Sequence, residues 1–142
     1  MMAPMPGRRA TAPKSAVISE AELLSLATEA ARNAYAPYSH LHVGAAVLTE
    51  QGNVFAACNV ENASYGLTIC AERNAIFAAA AHEGPMMRVA TLALATLDQQ
   101  VGTPCGACRQ VLTEFGPKAT VLLPDGRRTT VDALLPEAFT LD

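Results

Sequence analysis

Two predicted helices each begin on a cysteine, and those cysteines, Cys70 and Cys105, lie 35 positions apart. The first opens Cys70-Ala71-Glu72-Arg73. The second opens Cys105-Gly106-Ala107-Cys108, with Pro104 read as the first helical residue and Gly116-Pro117 as the stop after Phe115. A gap of this length holds one helix, a crossover and one strand, so a sheet can bring the two helix starts together. The strand between them is Val89–Leu97, a nearly continuous apolar run that suits a central strand covered on both faces.

The other elements follow from local pattern. Ser19 and Glu22 form a capping box. Leu23, Leu26, Ala27, Ala30, Ala31 and Ala34 then make one apolar helical face, which must stop before Pro37. Val43–Thr49 and Val54–Cys58 read as a β-hairpin about Glu50-Gln51-Gly52-Asn53. A polar loop from Val60 to Gly66 leads to a helix from Cys70 to about His82, ended by Gly84-Pro85. Ala119–Leu123 is a further strand, Arg127–Val131 a weaker one, and Asp132–Leu135 a short closing helix. The expected fold is α/β, a three-layer α/β/α sandwich around a mixed five-stranded sheet. Residues 1–17 read as a flexible N-terminal tail, and 18–142 as a single domain.

Charged residues are 16% of the chain and the net charge is −3, which disfavours a binder of nucleic acid through its phosphates. Arg8, Arg9 and Lys14, and again Arg127 and Arg128, read as solvated surface. No apolar run has the length of a spanning helix and no secretory segment stands at the start. The expected setting is cytoplasmic, without membrane or nucleic-acid partners, where thiols stay reduced and Cys-x-x-Cys reads as metal or redox.

A redox pair needs only Cys105 and Cys108 and leaves Cys70-Ala71-Glu72 unexplained. A closed structural zinc site needs four ligands. Cys58 is the remaining thiol, but it lies in strand context and reads as a small core residue. The third arrangement is catalytic: sulfur from Cys70, Cys105 and Cys108, one open position, and Glu72 beside it to move protons. Three thiolates outweigh a divalent cation, so positive groups should offset them. The two helix N-termini and Arg73 are placed to do so.

The pattern Cys-x-Glu followed by Pro-Cys-x-x-Cys is that of zinc deaminases with cysteine as first ligand. Further blocks agree in order: Tyr35-Ala36-Pro37-Tyr38-Ser39, Val43-Gly44-Ala45-Ala46, Asn59-Val60-Glu61-Asn62-Ala63-Ser64-Tyr65, Arg109-Gln110-Val111 and Leu134-Leu135-Pro136-Glu137-Ala138-Phe139. The chain closely resembles the small homotetrameric cytidine deaminases that act on free nucleosides. The resemblance implies hydrolytic deamination of cytidine and 2′-deoxycytidine in pyrimidine salvage, with one Zn²⁺ per chain and Glu72 as proton shuttle. It also implies that Asn59 and Glu61 hold the ribose 3′-hydroxyl and that the Ala71 N–H meets the base O2. Phe139 would pack on the base from a neighbouring subunit, and Arg73 would support the sulfurs. Leu41 departs from the family, which usually has phenylalanine there; the lost ring edge is a term of about 0.5–1.5 kcal/mol.

Several alternatives stand beside this reading. Blasticidin S-type deaminases share the spacing, but Asn59-Val60-Glu61-Asn62 and the Leu134–Phe139 end favour the simple nucleoside. Polynucleotide-editing deaminases usually have histidine as first ligand. An inactive zinc-stabilised binding module is disfavoured by the intact Glu72. Arg109 reads equally as packing or as support for the metal ligands. His40 and His42 read as exposed neighbours of Leu41, and Tyr35, Tyr38 and Tyr65 as subunit contacts or local packing.

Overall fold

The computed structural model describes residues 18–98 and 102–141, with the backbone of Ala10–Thr11. The elements run β1 (Ala10–Thr11), α1 (Glu20–Ala31), β2 (Val43–Thr49), β3 (Asn53–Cys58), α2 (Ala71–Glu83), β4 (Val89–Thr96), α3 (Gly106–Phe115), β5 (Thr120–Leu122), β6 (Arg128–Thr130) and α4 (Val131–Leu134). They form one mixed sheet in the order β1-β3-β2-β4-β5-β6. Five of these strands are those expected from the sequence. The two-residue β1 pairs antiparallel with Asn53 and Val54; the rest of the stretch read as a tail lies outside the described residues.

Helix α1 covers one face of the sheet. Its capping box is formed: the Ser19 hydroxyl accepts from the Glu22 N–H at 3.0 Å, and Glu22 accepts from the Ser19 N–H at 3.3 Å. Leu23, Ala27 and Ala31, spaced by four, are its buried line. Leu23 and Ala27 pack with Ala46, Val54, Ala93 and Leu122. Leu26 and Ala30, expected on the same face, are only partly covered. Contact with β2 is backbone to backbone: a Cβ on Gly44 would lie 1.8 Å from the Ala27 carbonyl oxygen.

Helices α2 and α3 cover the opposite face. Ala71, Ala75, Ile76, Ala79 and Leu112 pack on Ala45, Val47, Leu92, Leu94 and Val121. Side chains of a strand alternate between faces, so β4 gives Leu92 and Leu94 to this layer and Ala93 and Ala95 to α1. Both faces are buried, which is why the run reads as continuously apolar.

Strand direction decides where α2 and α3 begin. β3 and β4 both pair antiparallel with β2, which lies between them. They therefore run the same way and finish at one end of the sheet, where Gly44 faces Cys58 and Val43 faces Thr96. The segments that follow start α2 and α3 at that end.

Some boundaries moved. β5 and β6 are shorter than expected because residues 123–127 form a tight turn, closed by the Gly126 N–H on the Leu123 carbonyl at 3.0 Å, with Gly126 at φ 90°. Pro104 is not the first helical residue. Cys105 keeps an extended backbone as N-cap and α3 begins at Gly106. The Pro104 carbonyl instead accepts from Arg109 Nε at 2.8 Å. Helix α4 starts one residue early, at Val131, with the Thr130 hydroxyl accepting from the Ala133 N–H. Arg127 and Arg128 lie on the surface, paired with Asp125 and Glu20. Among the described residues no helix is long and apolar enough to cross a membrane.

Candidate active site

Cys70 is the N-cap of α2, Cys105 is the N-cap of α3, and Cys108 lies in the first turn of α3. Neither cap sulfur accepts a backbone N–H of its own helix. The three Sγ atoms instead gather within 4.8 Å of one another. Cys70 and Cys105 are 3.7 Å apart. Two thiolates on tetrahedral zinc, each at about 2.3 Å, stand about 3.8 Å apart. The donor set, its spacing and the two helix N-termini aimed at it all fit a zinc ion.

The metal-free trio cannot ionise fully. A hydrogen bond from Cys108 leads in lowering Cys70 to about 5, helped by Arg73 and Cys105 against the effect of burial. The same bond raises Cys108, and burial adds to it. One sulfur thus holds charge because its neighbour keeps a proton, and a divalent cation would release that proton. Arg73 Nη2 donates to Cys70 Sγ at 3.4 Å, the supporting contact expected of it. Its Nε is buried with no partner among the described residues.

Glu72 occupies the second position of α2 and is 3% exposed. Burial, with Cys70 adding, pushes its carboxyl up to about 7, while Arg73 and a hydrogen bond to Cys108 oppose that shift. A carboxyl with a pKa near neutrality can take a proton and give it back. Ala71, one position earlier, is fully buried, and as the first helical residue its N–H has no partner within the helix.

Asn59 and Glu61 both turn toward the segment that enters β2. Asn59 is buried: its Oδ1 accepts from the Val43 N–H at 2.9 Å and its Nδ2 donates to the Leu41 carbonyl at 2.8 Å. Glu61 Oε1 accepts from the Tyr38 and Ser39 N–H groups at 2.9 and 3.1 Å, and Oε2 from the Ser39 hydroxyl. That hydroxyl, with the two amides, holds the Glu61 carboxyl below its ordinary range. The Ser39 Oγ also accepts from the Leu41 N–H at 3.0 Å, so Glu61 sets Leu41 through Ser39. Sequence reasoning gave Ser39 no role, because a serine after Pro37 reads as an ordinary turn residue.

Among the remaining residues, His42 and Cys58 depart from expectation. His42 is half-buried, with Nδ1 3.3 Å from Asp98, while His40 is exposed in a turn at φ 61°. Cys58 is half-buried rather than a full core residue; burial raises its thiol, and it stands outside the trio. Phe139 is 69% exposed, and its carbonyl accepts from Gln110 Nε2 at 2.9 Å. Tyr35 and Tyr65 are exposed as well, and the Tyr65 ring meets Tyr38 edge to face at 6.0 Å.

Such a sulfur trio with a buried glutamate, at one end of an α/β/α sheet, defines the class of zinc-binding deaminases. The family model described as the cytidine and deoxycytidylate deaminase zinc-binding region matches residues 18–123, and the chain belongs to this family. A cytidine deaminase of Halalkalibacterium halodurans is 46% identical over 125 residues, covering 84% of this chain and 93% of that protein. The crystal structure of cytidine deaminase from Burkholderia pseudomallei superposes with a TM-score of 0.79 at 46% identity, covering 86% of this chain and all of that one. A blasticidin-S deaminase of Bacillus cereus is more distant, 30% identical over 128 residues, or 84% of this chain and 91% of that protein.

Proposed function

We propose that this chain hydrolyses cytidine and 2′-deoxycytidine to uridine and 2′-deoxyuridine with release of ammonia, in pyrimidine salvage in the cytoplasm. The observation that carries the reading is the buried Glu72 beside three converging sulfurs. Cys70, Cys105 and Cys108 would hold one zinc ion per chain. The metal supplies a lowered pKa for water, which makes a nucleophile at neutral pH. Glu72 would take one proton of the water and deliver it to N3 of the base, then take the remaining proton from the oxygen added at C4 and give it to the amine that leaves. Water adds at C4, the C4–N4 bond breaks, and the carbonyl of uridine remains.

Substrate positioning falls to the residues around the end of the sheet. The Ala71 N–H donates to the base O2. Glu61 accepts from the ribose 3′-hydroxyl, and Asn59 holds the same hydroxyl while anchoring Leu41 and Val43. Leu41 lines the base. Phe139 closes over it from a neighbouring subunit of a homotetramer with shared active sites. Exposure of Tyr35, Tyr65 and Phe139 on the single chain supports that assembly.

The test is conversion of cytidine to uridine, followed as loss of cytidine absorbance and as ammonia, with zinc measured on the same sample. Turnover with one zinc per chain is expected. Zinc-loaded protein that leaves cytidine and deoxycytidine unchanged overturns the reading.

A further inference from the structure

Every nitrogen of the Arg109 guanidinium is engaged, and none of its acceptors is charged. Nε donates to the Pro104 carbonyl at 2.8 Å, Nη2 to the Thr103 hydroxyl at 2.9 Å, and Nη1 to the Leu134 carbonyl at 2.7 Å. An arginine that offset sulfur charge would turn to the sulfurs, as Arg73 does. Arg109 turns instead to the residues that lead into Cys105 and to the end of α4. The next residue, Gln110, holds the Phe139 carbonyl.

This matters because Cys105 and Cys108 are fixed in different ways. Cys108 is buried inside α3 and moves only with the helix. Cys105 is exposed and caps the helix from outside, so its sulfur depends on how residues 102–104 approach. We propose that Arg109 is a positioning residue: its planar fork braces Thr103 and Pro104 against α3, and so sets Cys105 relative to Cys108. Through Leu134 and Gln110 the same helical turn also places the C-terminal segment that carries Phe139. Lysine cannot replace this fork, since one ammonium cannot reach three acceptors set around a plane.

The inference rests on the zinc reading above, and its test separates the two. Zinc-loaded wild type, Arg109→Lys, Arg109→Ala, Gln110→Ala and Leu23→Val are mixed with excess chromogenic chelator, and zinc transfer is timed. KM and kcat for cytidine are measured alongside, with melting temperature as the stability control. Arg109→Lys should speed transfer by about tenfold or more, the usual size for loss of an outer support. Gln110→Ala should leave transfer unchanged and raise KM with little change in kcat. Leu23→Val, on the far face of the sheet, should lower the melting temperature without speeding transfer. Wild-type transfer rates in both Arg109 variants overturn the inference, as does equal acceleration in Leu23→Val. A wild type that binds no zinc overturns the functional reading itself.

Discussion

The Sγ atoms of Cys70 and Cys105 stand 3.7 Å apart across 35 positions of sequence. No local interaction brings them there. β2 separates β3 from β4 and is antiparallel to both, so the two strands deliver their chains to the same end of the sheet. The helix caps meet because the sheet is ordered in this way, and Cys108 joins them from the first turn of α3.

If three sulfurs and an open position make the centre, Cys58 has no part in it. Cys58→Ser should keep one zinc per chain, whereas Cys105→Ser should lose most of it while staying folded, since Cys105 is exposed. Metal analysis after gel filtration checks both. Zinc loss in Cys58→Ser would point to a closed four-sulfur site without room for water.

Glu72 gives a pH signature in the metal-free protein. Its carboxyl is raised from 4.5 to about 7 on folding, so the folded chain binds the proton more tightly than the unfolded chain. Stability from this group is full below pH 4.5 and is lost as pH rises through about 7, by about 3 kcal/mol. Glu72→Gln cannot lose a proton. In chelator, its urea midpoint should therefore exceed that of wild type above pH 7 and approach it below pH 4.5. With zinc present the same variant should keep its metal and lose about 10²–10⁴ in kcat, the range for a general acid–base. A gap between the two proteins that does not change with pH would show that burial of Glu72 is not what shifts it.

The layers, the helix starts and the Cys105–Cys108 pair were legible because each rests on short-range chemistry: a capping box, a continuous apolar run, thiols at i and i+3. Cys70 joined the pair because the 35 positions between hold a helix, a crossover and a strand. What stayed hidden depends on partners distant in sequence. Asn59 looked like a free ligand group until its amide was seen bonded to Leu41 and Val43. Arg109 could not be placed because one of its acceptors is Leu134, 25 residues away. The Ser39 role needs Glu61, which lies 22 positions later. Gly44 matched a family block, but only the packed helix shows why a side chain is excluded there.

That exclusion is testable. A methyl on Gly44 meets backbone atoms, the Ala27 carbonyl oxygen at 1.8 Å and the Ala31 nitrogen at 2.7 Å, neither of which can rotate away. Gly44→Ala must lift α1 off the sheet and uncover Leu23 and Ala27. A loss of about 3 kcal/mol or more is expected, at or above the usual overpacking range. Gly66→Ala, where a Cβ meets nothing within 4 Å, should change stability little. Denaturant midpoints of the two variants give the comparison.

Asn59 and Glu61 are two positions apart, yet removing them should have different effects. Asn59→Ala would strip partners from the Val43 N–H and the Leu41 carbonyl at a buried site. Each unpaired group costs about 1–3 kcal/mol, so the variant should melt well below wild type and lose activity with its fold. Glu61 bonds a surface turn, and Glu61→Gln keeps its shape while losing its charge. Its melting temperature and zinc content should stay close to wild type while KM for cytidine rises about tenfold or more, the scale of one hydrogen bond to a charged group. Thermal melts, metal content and steady-state kinetics on the pair separate the roles. If Glu61→Gln lost zinc and stability together with KM, its carboxylate would be a brace for the Tyr38–Ser39 turn, and the ribose would need another acceptor.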